Sequence, residues 1–192
     1  NIKSVAMAFE AWKVPVKDQT KALDGLFRLQ QRGGGTVADL TDNMMKFSSP
    51  LRRLNFDLGE AASMFAAFER GGVNTATMLP GLKFAIANMA APTAELSAKF
   101  KDLGVNTAKP GEGLKRIFSL LGNKSTLSDV EKTNLAMDVF GRRAGSDMAD
   151  AVKQGRFNLD GFLKTFKQGK ETIPGAAKDT YDFAENVKLL QH

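Results

Sequence analysis

Apolar residues recur at intervals of three and four along nearly the whole chain, and that spacing constrains the fold more than any other feature of the sequence. Leu114, Ile117, Phe118 and Leu121 fall at i, i+3, i+4 and i+7, and Leu159, Phe162, Leu163 and Phe166 repeat the pattern. Leu96, Phe100 and Leu103 mark a shorter helix, and Leu23, Leu26 and Phe27 another. Residues at these offsets share one face of an α-helix, whereas a half-buried strand needs a period of two. Alternating runs of β-branched residues are absent. The fold class expected is all-α: a multi-helix array of short amphipathic helices and helical hairpins with Gly/Pro-punctuated turns.

Glycine marks the stops. Gly33-Gly34-Gly35, Gly71-Gly72, Gly104 and Gly122 each follow an amphipathic run, where a glycine in the left-handed conformation ends a helix. Starts follow promptly. Asp57 with Glu60 and Ser128 with Glu131 have capping-box spacing, and Asn74 or Thr75 begins the helix after Gly72. Pro15, Pro50, Pro92, Pro110 and Pro174 fall at helix starts or linkers, where a missing N–H costs little.

Two stretches repeat. The run from Phe27 to Gly34 aligns with that from Phe65 to Gly72, and Gly72-Val73-Asn74-Thr75-Ala76 returns as Gly104-Val105-Asn106-Thr107-Ala108. Such periods fit stacked helical hairpins. They fit equally well the general likeness of helix–Gly–Asn/Thr–helix junctions, and the sequence leaves both readings open.

Composition narrows the chemistry. With 192 residues, 43% hydrophobic and 25% charged, the chain can bury a core and does not read as disordered. There is no cysteine, so a disulfide framework, a thiolate nucleophile and a Cys-ligated metal are excluded. The one histidine, His192, is the last residue. The net charge of +6 is dispersed, with no basic run longer than the pairs Arg52-Arg53 and Arg142-Arg143, which reads as solvated helix faces. The longest apolar stretch, Met78–Pro92, is broken by Lys83 and falls short of the roughly 20 residues that a spanning helix needs. Asn1 is not a natural start, and Tyr181–Gln191 still reads as helix where the sequence stops. The expectation is a segment of a longer chain.

Several fragments imitate functional motifs. Gly111-Glu112-Gly113-Leu114-Lys115-Arg116 opens like a dinucleotide fingerprint, but Arg116 replaces the third glycine and no strand precedes it. Gly122-Asn123-Lys124-Ser125 resembles the end of a P-loop with Asn123 where the lysine belongs. Both read as helix boundaries. Asp147/Asp150 and Asp179/Asp182 have helical spacing but no companion catalytic group, and read as solvent-facing charges. The eight methionines fall mostly on apolar stripes and read as core or interface packing. Gly141-Arg142-Arg143-Ala144-Gly145 marks a break or a close approach between the helix ending at Phe140 and the one running to Val152.

That last stretch also carries a resemblance. Leu135-Ala136-Met137-Asp138-Val139-Phe140-Gly141-Arg142-Arg143-Ala144-Gly145 resembles the "helix, aliphatic-Phe-Gly-basic-Arg-Ala, helix" signature of the phage tail tape measure family. The order upstream is similar too. An alanine-rich helix (Ala61–Phe68) ends in glycine, and Thr75–Ala90 runs into Ala91-Pro92-Thr93. Leu96–Leu103 then leads to Gly104-Val105, and Gly113–Leu121 to the cap at Ser128. The likeness covers about Asn55 to Val152. It departs between Gly104 and Gly113, where many relatives carry an Asp-Gly turn and this chain has Asn106-Thr107-Ala108-Lys109-Pro110-Gly111.

The resemblance implies a structural virion protein, not an enzyme. Such a protein would lie in the tail tube lumen, set tail length, template tube assembly and leave as DNA is delivered; during assembly it would be in the bacterial host cytoplasm. Implied partners are the tail tube protein, tail assembly chaperones and further copies of the chain. On that footing residues 1–54 are expected to form N-terminal helical hairpins, 55–170 the tape-measure-like helical domain, and 171–192 the start of a longer helix. No catalytic, cofactor-binding or metal-ligating residue is assigned, and no specific nucleic-acid binding or membrane span is expected. The residues singled out are the packing positions of the helix junction: Phe140, Gly141, Arg142, Ala144 and Gly145. Two rival readings remain, a basic nucleic-acid-contacting helical domain and a non-catalytic part of a tail-associated peptidoglycan hydrolase.

Overall fold

A computed structural model of the chain describes residues 2–168, and every described regular element is an α-helix. In chain order these are α1 (Ile2–Ala11), α2 (Val16–Gln31), α3 (Val37–Lys46), α4 (Ser48–Arg53), α5 (Leu58–Gly71), α6 (Thr75–Ala90), α7 (Ala94–Asp102), α8 (Pro110–Leu121), α9 (Asp129–Phe140), α10 (Arg142–Lys153) and α11 (Leu159–Lys167). The all-α expectation holds. Pro174, Asp179, Asp182, His192 and the helix expected over 171–192 lie outside the described residues.

The helix ends follow local chemistry. Glu60 and Asp57 exchange backbone and side-chain bonds in both directions (3.1 and 2.7 Å), and Ser128 and Glu131 do the same (3.1 and 3.2 Å), so both capping boxes form. The Asn74 side chain accepts from Ala76 N–H and starts α6. Gly33, Gly72 and Gly104 take φ of 80, 71 and 69°. At each, the next residue's N–H reaches back five positions to a carbonyl of the helix just ended.

Gly122 departs from its expectation: its φ is −74° and ψ 170°, an extended conformation. Its carbonyl instead accepts from the buried Lys132 ammonium at 3.0 Å, so a side chain closes this end of α8 and no left-handed residue is needed.

The two repeats resolve differently. Gly72-Val73-Asn74 and Gly104-Val105-Asn106 share a left-handed glycine, a buried valine and an Asn side chain accepting a backbone N–H two residues on. The longer alignment fails in detail. Gly33 is left-handed, but its counterpart Gly71 is still within α5. The likeness is one of helix junctions.

The described residues divide into two compact units. One takes in residues 2–52, 56–66 and 161–168. Its core holds Phe9, Leu23, Leu26, Leu29, Met44, Phe47 and Leu51, and Trp12 Nε1 donates to the Met44 carbonyl at 3.0 Å. The glycines of α2 and α5 make room for α11: a Cβ at Gly25 or Gly59 would fall 2.5 or 2.7 Å from the Phe166 ring. Buried Arg28 reaches the same place and donates to the carbonyls of Thr165 (2.9 Å) and Phe166 (2.6 Å).

The other unit comprises residues 53–55 and 67–160. Phe118 of α8 sits among Phe68, Phe140 and Phe157, with centroids 5.9, 5.6 and 5.9 Å away, the distances at which aromatic rings attract beyond simple burial. Of the eight methionines, Met44, Met64, Met78, Met89 and Met148 are at most 1% exposed, so most are core residues.

Candidate functional site

The stretch singled out by sequence is a helix junction one residue long. Residue Gly141 alone separates α9 from α10, with φ 84° and ψ 169°. That region of backbone space is essentially confined to glycine, because any Cβ collides with neighbouring backbone. The chain reverses sharply there, and α10 packs back on α9. Gly145 makes this possible: a Cβ on it would fall 2.5 Å from Met137 Cα and 2.7 Å from the Ala136 carbonyl oxygen. Both glycines are dictated by backbone geometry.

A third helix fixes the junction. Four residues of α6, at i, i+4, i+7 and i+11, meet it in reverse chain order. Thr77 donates to Asp147 at 3.1 Å. Gly81 lies against Ala144, and a Cβ there would be 2.3 Å from the Ala144 Cβ and 3.0 Å from the Phe140 carbonyl oxygen. Phe84 lies over Gly141, its ring 3.7 Å from where a Cβ would stand. Asn88 donates to the Val139 carbonyl at 3.1 Å, satisfying an acceptor at the C-terminal end of α9 that has no partner within the helix. Lys99 on α7 completes the surround with an ion pair to Asp138 at 2.7 Å.

Phe140, Gly141, Ala144 and Gly145 are thus brought together, with Phe140 and Ala144 2% exposed and Phe140 stacked on Phe118. Arg142, expected among the packing positions, is exposed, as is Arg143. As the first residues of α10 their side chains leave the interface that Ala144 and Gly145 enter. The sequence reading missed Gly81 and Asn88. Their signal was present in the 77, 81, 84, 88 spacing, but a glycine and an asparagine in a helix carry no mark of a contact some sixty residues away.

The motif-like fragments have structural explanations. A Cβ at Gly111 would lie 1.7 Å from the Leu54 carbonyl oxygen, and one at Gly113 2.9 Å from that of Asn106, so both glycines admit a crossing backbone at the start of α8. In the 122–125 turn, the Gly122 carbonyl accepts from Lys132 and Ser125 Oγ from Leu127 N–H. Asp147 is held by Thr77, and Asp150 by Arg156 at 3.3 Å and Gln154 at 3.1 Å. Among the described residues no three acidic or histidine side chains gather into a metal-holding group, and no helix is long and apolar enough to cross a membrane.

What the arrangement offers is a closely packed three-helix joint with two exposed arginines at its edge, and comparison with known families gives it a context. The model of the family described as "Phage-related minor tail protein" matches residues 2–141, nearly three quarters of the chain. The chain belongs to this family. Its match starts well upstream of Asn55, where the sequence likeness was placed, and ends at Gly141, the turning point of the junction. No curated protein and no solved structure shows a match. Membership of the minor tail family gives the chain a structural role in a phage tail and associates it with the virion.

Proposed function

We propose that this member of the minor tail family is a segment of a tape measure protein, the component that sets tail length and templates tube assembly. The observation that carries the reading is the succession from α5 to α10, which keeps the order of the tape measure arrangement and ends in the Phe140–Gly145 junction. An array of short helices whose polar groups go into caps and helix contacts suits a protein that works by packing and by length. In this role the chain meets the tail tube protein, the tail assembly chaperones and further copies of itself. It lies in the tube lumen of the virion after assembly in the host cytoplasm.

The test is genetic. In-frame deletions of increasing size in the helical region of the parent gene should shorten tails in proportion, as measured by electron microscopy. Tails of unchanged length would sink the proposal while leaving family membership intact.

A further inference from the structure

Helix α6 is apolar on nearly every side, a pattern that belongs to a helix covered all round. Its inner stripe meets the α9–α10 junction, and Met78, Leu82, Ala85 and Met89 are buried in the core of the same unit. The outer face is uncovered among the described residues. Ala76, Pro80, Lys83, Ala87 and Ala90 are exposed, and Phe84 is 49% exposed at its edge. A surface helix ordinarily places charged and polar side chains there, and this one shows a single lysine. The steps between the five positions are four, three, four and three residues, the spacing of the seam along which one helix receives another.

The chemistry of the occupant follows from what the strip lacks. Its side chains are short, so the partner must supply the bulk that fills the seam, Leu- or Met-sized. Its charge is of one sign. Lys83 lies in the seam, and Arg142 and Arg143 follow directly on Gly141, over which Phe84 lies. None of the three cations has a hydrogen bond or ion pair among the described residues. Of the nearby carboxylates, Asp138 is paired with Lys99, and Asp147 accepts from Thr77 but keeps its charge, so the rim is positive by balance: three cations against one unpaired carboxylate. A second copy fits poorly: Lys83 stands midway between Ala76 and Ala90, so symmetric pairing in either direction sets Lys83 against Lys83, and like charges facing each other are unfavourable. We infer that the outer face of α6, with Phe84 as anchor, Lys83 within its seam and Arg142 and Arg143 at its rim, docks an amphipathic helix of a different protein, apolar along its seam and acidic on its flank. This surface does not depend on the tape measure reading.

The chain has no cysteine, so Ala87→Cys places one reporting thiol on the strip of the full chain. Two synthetic helical probes of about 21 residues, three heptads long, carry leucine along the seam and either glutamate or lysine on the flanks. The thiol should react freely in the chain alone, and the glutamate peptide should protect it. Phe84→Ala should weaken binding about tenfold, and Arg142→Glu with Arg143→Glu should do so without touching the core. Reversing Lys17 and Lys21 on α2 should have no effect. Equal protection by the lysine peptide would overturn the inference, as would equal loss on reversing the α2 lysines. A thiol already shielded in the dilute chain would mean that the chain covers itself. Protection rising with protein concentration would mean a second copy, and protection by duplex DNA but not by the peptide a nucleic-acid surface; each of these also overturns it.

Discussion

Gly81 and Ala144 stand so close that a methyl group on residue 81 would lie 2.3 Å from the Ala144 side chain. This contact seats α6 against the first turn of α10, and beside it α9 ends at Phe140. Replacing Gly81 with alanine therefore sets two effects against each other. Alanine favours a helix over glycine by about 1 kcal/mol. Forcing a methyl into a filled contact costs about 1–3 kcal/mol, because neither the Ala144 Cβ nor the Phe140 carbonyl oxygen can swing away. Overpacking wins, and Gly81→Ala is expected to lower the urea midpoint with an unchanged slope. Adding Ala144→Gly should recover part of the loss. A double variant no more stable than the sum of the two single losses would remove this account of the contact.

Gly141 is a separate constraint, imposed by conformation and not by space. With φ at 84° and ψ at 169°, an alanine there bears strain of about 1–3 kcal/mol. Relieving it means rotating α10 away from α9, which Gly145 holds through backbone contact with Ala136 and Met137. Gly141→Ala and Gly145→Ala should both lower stability, and hydrogen exchange should quicken at Gly145 N–H, which bonds to the Gly141 carbonyl. Exchange unchanged at Gly145 in both variants would show that the junction tolerates a side chain.

What could be read in the sequence depends on how far apart the interacting residues lie. The capping boxes at Asp57/Glu60 and Ser128/Glu131, and the Gly-Val-Asn junctions, are closed by bonds over two to five residues, and each was legible as spacing. The end of α8 is not legible locally because its cap comes from Lys132, ten residues on in the next helix. Pro80 lies inside α6, on the exposed face, where water can take up the carbonyl bond it forgoes. At Phe140–Gly145 the sequence marked a junction but not its third wall. Thr77 and Asp147 are seventy residues apart, and nothing local ties them. Arg142 belongs to the signature stretch, but two residues before Ala144 on α10 it faces outward, and a signature does not distinguish the packed positions from the exposed ones.

The two capping boxes should respond to acid in opposite senses. Burial, and then the charge of Glu60, raises the Asp57 carboxyl above its usual range. The folded state thus holds that proton more readily than the unfolded one. Its contribution to stability is fullest below the ordinary aspartate value of about 3.9 and declines as pH rises through the raised value. Glu131 is lowered by the bonds from the Ser128 N–H and then its hydroxyl. Its contribution is present above the ordinary glutamate value and is lost as pH falls through the lowered one. Carboxyl carbon titration by NMR should place Asp57 above and Glu131 below their usual ranges, and Ser128→Ala should move Glu131 back up while leaving Asp57 in place. The same direction of shift in both would contradict the cause assigned to each.

Arg28 gives the longest-range prediction. Its guanidinium is buried, donates to the carbonyls of Thr165 and Phe166, and lies next to Arg32, which donates to Thr165 Oγ1 at 2.5 Å. Those carbonyls are in the last turn of α11 and have no acceptor role within the helix. A cation at a helix C-terminus is also favoured by the helix dipole. Desolvation by burial, partly offset by Asp24, holds the guanidinium below its usual pKa, but an arginine stays charged through the accessible range, so no pH dependence is expected from it. Hydrogen bonds from a charged donor contribute about 1.5–3 kcal/mol each. Arg28→Ala should therefore cost about 3 kcal/mol and speed hydrogen exchange across α11 more than elsewhere. Arg28→Lys keeps the charge but loses the planar fork that spans two carbonyls, and should recover less than half of the loss. Full recovery by lysine would mean that charge alone, and not the paired bonds, holds α11 in place.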